Sequence, residues 1–63
     1  MVKRTLKSIR LDLGLTQDQM AKKLGISKIS WMHKESYETK LSAVELMKIV
    51  NLSGVEASSI KIE

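Results

Sequence analysis

The run from Thr16 to Ser27 leaves this chain few alternatives. Thr16 can accept from backbone N–H groups two or three positions on, and Gln19 stands where a side chain reaches back to the cap. Met20, Ala21 and Leu24 then share one helical face, the spacing of a helix packed on one side. Gly25 stands where the helix must end and the chain turn through a left-handed conformation that penalises a Cβ. Ser27 can cap a second helix shortly afterwards. Ala21 falls where the two helices cross, and a larger side chain there would push them apart.

Two helices joined by a three- to four-residue turn containing glycine form a helix-turn-helix unit. Around it stand Gly14, Leu15, Thr16 and Gln17, then Ala21, Leu24, Gly25, Ile26 and Ser27, then Glu35, Leu46, Ile49, Gly54 and Val55. In these residues, in order and without a gap from about Leu6 to Ile60, the chain resembles the Cro/repressor-type helix-turn-helix family of phage and bacterial transcriptional regulators. The Lys34–Glu35 pair and the closing Val55 to Ile60 are most similar to small prophage-encoded regulators of Gram-positive bacteria. The resemblance implies an all-α fold, a compact bundle of four to five short helices of the lambda-repressor-like DNA-binding type. Its helix-turn-helix covers about residues 17–36, and residues 1–63 form one domain. The resemblance also implies a largely buried ion pair between Arg10 and Glu35, a phosphate contact at Gln17, and a core position for Trp31.

Composition agrees with such a fold. Sixty-three residues lie near the lower limit for a chain that folds on one apolar core, and with no cysteine there is no disulfide to help. Hydrophobic residues make up 43% of the chain, yet it has no Phe, one Trp and one Tyr, so the core must be built from aliphatic side chains and Met. The periodicity predicts a first helix over about Thr5 to Leu13, with Leu6, Ile9 and Leu13 on one stripe, and a second over Gln17 to Leu24. A third starts after Ser27 and runs to about Ser36, with Trp31 and Lys34 returning to the core. Tyr37 to Leu41 is polar and lacks a stripe, which predicts a loop. Ser42 caps a fourth helix ending near Leu52, with Leu46, Ile49 and Val50 inward and Gly54 closing it. Glu56 to Ile60 reads as one short turn, and Ile60–Lys61–Ile62 as an extended tail. No apolar run approaches a membrane span, and no apolar signal region follows Met-Val-Lys-Arg, so the expectation is a cytoplasmic protein without a membrane partner.

The net charge of +4 suits a polyanionic partner, and the fold implied by resemblance would read double-stranded DNA. A helix laid in the major groove meets a distinct donor and acceptor pattern at each base pair. If the core side of the third helix holds Ile26, Ser30 and Trp31, its opposite side presents Ser27, Lys28, Ile29, Met32 and His33. Lys28 can donate to guanine, or be a solvated lysine at a helix start. His33 can exchange hydrogen bonds with a base or lie in solvent; as the single histidine it does not suggest a metal site. Ile29 and Met32 can meet thymine methyl groups, or mark a protein-binding patch. Arg4, Lys7 and Lys40 are phosphate candidates beside Gln17, with solvated positions as the alternative for each. Specific affinity usually needs two half-sites, which predicts a weak homodimer, at least on DNA. Within this chain its surface must come from the fourth helix and tail: Val44, Met47, Leu52, Val55, Ile60 and Ile62.

No catalytic constellation, phosphate-cradling glycine loop or cofactor motif is visible, so neither an enzyme nor a small-molecule substrate is expected. The competing expectation is an antirepressor- or adaptor-like protein-interaction module on the same fold, without DNA binding.

Overall fold

Serine or threonine opens each α-helix of the described residues. The computed structural model describes residues 3–62 and shows an all-α bundle of α1 (Leu6–Asp12), α2 (Gln17–Leu24), α3 (Lys28–Glu35) and α4 (Ala43–Ser53), followed by a 3-10 turn at Ala57–Ser59. The hydroxyls of Thr5, Thr16, Ser27 and Ser42 each accept from the backbone N–H three residues on, at 3.1 Å. These bonds satisfy donors that a helix start otherwise leaves open. At α2 and α4 the bond is reciprocated. Gln19 Oε1 accepts from Thr16 N at 2.9 Å, and Glu45 Oε1 from Ser42 N at 2.8 Å.

The helix ends are less uniform. α2 stops at Gly25, whose φ of 74° is the left-handed conformation that glycine adopts without steric cost. Lys48 of α4 donates to the carbonyl of Leu24 at 3.1 Å, so the end of α2 is also tied to α4. Beyond α3 the left-handed position falls instead on Tyr37, at φ 65°. A side chain there costs roughly 1–2 kcal/mol, and its contacts must offset that. The Tyr37 hydroxyl accepts from Leu6 N at 3.2 Å and donates to Lys61 O at 2.8 Å. The Lys61 ammonium lies 5.5 Å from the ring centroid. What the sequence suggests is a featureless polar loop therefore pins the start of α1 to the C-terminal segment.

The core is aliphatic apart from one indole: Leu6 and Ile9 of α1, Met20, Ala21 and Leu24 of α2, Trp31 of α3, Ile49 of α4, and Ile60. α2 packs on α3 and α4, and α4 on the 3-10 turn. Two expectations need correction. Ile60, expected on a dimer surface, is 1% exposed. Its backbone forms a parallel bridge with Arg4, in which Arg4 N donates to Ser59 O and Lys61 N to Arg4 O, both at 2.8 Å. That bridge holds the Ile60 side chain in the bundle as part of the core cluster. Ser30, expected on the core side of α3, is exposed, because Trp31 and the half-buried Ile26 already fill that side. No helix of the described residues is long and apolar enough to cross a membrane.

Candidate functional site

A buried charged knot holds α3 in place. Arg10 of α1 donates from Nε to Glu35 Oε1 at 2.8 Å and from Nη1 to the carbonyl of Leu15 at 2.8 Å. Gln17, the first residue of α2, donates from Nε2 to Glu35 Oε2 at 2.6 Å. The Arg10 and Glu35 side chains are only 10% and 6% exposed, so both carboxylate oxygens take protein donors in place of water. One carboxylate at the end of α3 thus joins α1 and the start of α2. A second tie runs outside it, where Lys34 Nζ reaches Glu45 Oε1 and the carbonyl of Lys40, each at 3.1 Å.

These ties leave the outer side of α3 uncovered. Ile29 is 68% and Met32 43% exposed. With Lys7, Gln17, His33 and Glu38 they line a shallow groove of about 460 Å³ whose inner wall includes Glu35 and Ser36. Lys28 lies in solvent at the first position of α3 and makes no hydrogen bond or ion pair among the described residues. Ser27 is exposed, but its hydroxyl is committed. It accepts from Ser30 N and donates to Ser30 Oγ at 2.9 Å. His33 Nδ1 pairs with the carboxylate of Glu38.

Among the phosphate candidates, Lys7 stands on the groove wall and Lys40 is exposed in the loop after α3. Gln17 borders the groove with its amide nitrogen engaged by Glu35. Arg4 is not part of the groove: its guanidinium pairs with Asp12 and donates to Ser8 Oγ, both on α1. A phosphate contact there would have to displace Asp12. Of the dimer-surface candidates, Val44, Met47, Leu52 and Ile62 are exposed, while Val55 is half-buried against the core. Ile62 lies beside Leu41, Ala43 and Leu46 in a second shallow groove of about 180 Å³ at the start of α4, so it meets the Val44 and Met47 end of that helix rather than Leu52.

Two groove residues, Ser36 and Glu38, carry no signal of that place in the sequence, and Glu38 is the charged one. It is five positions from His33, a spacing with no meaning on a continuous helix. The left-handed Tyr37 folds the chain back, so that Glu38 N donates to His33 O at 2.9 Å and brings the carboxylate to the imidazole. A helical end without glycine gave no local signal for that turn. Among the described residues no group of three or more His, Cys, Asp and Glu side chains could hold a metal ion. Compared with family models, curated proteins and solved structures, the chain matches none.

Proposed function

We propose that the chain is a sequence-specific DNA-binding regulator of transcription, of phage or prophage type, built as a lambda-repressor-like helix-turn-helix unit with α3 in the major groove. The observation that carries this reading is the uncovered outer side of α3 on a unit of two helices joined through Gly25, Ile26 and Ser27. Its supports are the net charge of +4 and the two lysines, Lys7 and Lys28, that stand in solvent around that side. A helix can read bases only if it is held rigidly on its scaffold, and the Arg10–Glu35–Gln17 knot ties α3 to α1 and α2. Two copies about 34 Å apart would read two half-sites, with Val44, Met47 and Ile62 as the apolar surface available for pairing.

The test is titration against random and selected duplexes at two salt concentrations. Phosphate engagement gives a steep loss of affinity with salt, by about 0.9 log units per log unit of salt for each phosphate neutralised. Lys28→Ala should relax preference at one base position, whereas Lys40→Ala should weaken all duplexes alike. Absence of binding to either duplex at low salt overturns the reading. A protein-interaction module then takes its place, the alternative favoured by the exposed Ile29 and Met32 beside the acidic Glu38.

A further inference from the structure

The major groove offers hydrogen-bonding atoms on every base and one apolar group, the C5-methyl of thymine. The polar side chains around the groove beside α3 are largely spent on the protein itself. The Ser27 hydroxyl caps α3 and bonds Ser30, the Gln17 amide nitrogen holds Glu35, and His33 Nδ1 is taken by Glu38. Besides Lys28 at the start of α3, what remains free and prominent is apolar: Ile29 and Met32, on adjacent turns of one face. We propose that this face selects its duplex chiefly by apolar contact with thymine methyl groups. The inference rests on the DNA-binding reading above and specifies which chemical feature of the duplex is recognised.

Spacing and charge both fit this occupant. Three residues of helix advance roughly 4.5 Å along the axis. Successive base pairs are about 3.4 Å apart. Ile29 and Met32 therefore address neighbouring base pairs, and the preferred site carries thymines on two adjacent pairs. Lys7 on the groove wall flanks the apolar pair with positive charge, which complements the phosphate rows bordering the groove of a duplex. Both acidic side chains of the groove are already engaged, Glu38 by His33 and Glu35 by Arg10 and Gln17. A thymine methyl removes apolar surface of Ile29 or Met32 from water, while uracil or cytosine at the same place leaves that surface wet.

The decisive measurement uses the best duplex selected from a random pool by the unmodified protein. That duplex is remade with deoxyuridine for thymidine, one position at a time, and each version is titrated. Loss of one contacted methyl should weaken binding about fourfold, at two adjacent base pairs and nowhere else. In an Ile29→Ala/Met32→Ala variant, whose fold is verified by Trp31 emission, thymine and uracil versions should bind alike. Equal affinity of the unmodified protein for every uracil version overturns the methyl inference and leaves DNA binding standing, and this arm needs no variant to fold. Full thymine preference retained by the double variant overturns it as well, by placing the methyl contacts elsewhere. Failure to bind any duplex at low salt overturns the inference together with the DNA-binding reading.

Discussion

Arg10, Glu35 and Trp31 show how differently single side chains can hold the same small bundle. Arg10 and Glu35 satisfy each other almost out of solvent, so removing one strands the other. Arg10→Met should cost about 3–5 kcal/mol, while Lys7→Met, on an exposed position of the same helix, should stay within about 0.5 kcal/mol. Circular dichroism at room temperature checks this, since a loss of that size leaves Arg10→Met substantially unfolded while Lys7→Met stays folded; equal small effects would show that the knot contributes little. Gln17 belongs to the same knot, so Gln17→Ala should lower stability as well as any affinity for phosphate. Trp31 has no exposed surface, and its Nε1–H has no partner among the described residues. Its emission should be blue-shifted and resist iodide. An orphaned buried donor costs roughly 1–3 kcal/mol, so Trp31→Phe, which removes it, should cost clearly less than the about 3–5 kcal/mol of Trp31→Ala. Equal losses in the two variants would show that the indole N–H carries no penalty.

At the scale of elements, α4 is the helix whose start carries a titratable cap. Burial of Glu45 raises its pKa, but the Ser42 backbone N–H, the Lys34 ammonium and the Ser42 hydroxyl together outweigh it and hold the carboxyl below its ordinary value. A carboxyl whose folded pKa is depressed contributes stability that is fully present above the unfolded value and is lost as pH falls through the folded one. The protein should therefore lose stability below about pH 4.5, the ordinary value of a glutamate carboxyl, as Glu45 protonates and α4 gives up its reciprocal cap and its tie to α3. Thermal unfolding followed across that range should show a shallower acid slope for Glu45→Gln than for the unmodified protein. Parallel curves would show that other carboxylates govern the acid limb.

For the whole molecule the decisive contact joins the two ends of the described chain. The Arg4–Ile60 bridge and the Tyr37 hydroxyl between Leu6 and Lys61 fasten the C-terminal segment to the start of α1, and Ile60 completes the core. Ile60→Ala should destabilise by about 2–5 kcal/mol. Since a core of this size rarely supplies more than about 3–5 kcal/mol, that variant should be substantially unfolded at room temperature by circular dichroism. Ile62→Ala, two residues on and exposed, should unfold as the unmodified protein does. An Ile60→Ala protein of full stability would show that the tail is dispensable.

Helices were legible in the chain because their signals are local. Thr5, Thr16, Ser27 and Ser42 mark the starts, Gly25 and Gly54 two of the ends, and the stripes of Leu6 and Ile9, of Met20, Ala21 and Leu24, and of Leu46, Ile49 and Val50 face the core. Each signal is a hydrogen bond or a periodicity completed within four residues. By itself the sequence thus determined an all-α chain, its element boundaries, and the outward position of Lys28, Ile29, Met32 and His33. Alternation alone could not say which face of the tail is covered, so Ile60 and Ile62 looked alike until the Arg4 bridge separated them. Local pattern was equally silent on Tyr37 and Glu38, because a left-handed tyrosine is stable only through partners 31 and 24 residues away. Only the tertiary structure decided which polar groups beside α3 remain free, since Gln17 and His33 are engaged by carboxylates that meet them only after the chain has folded.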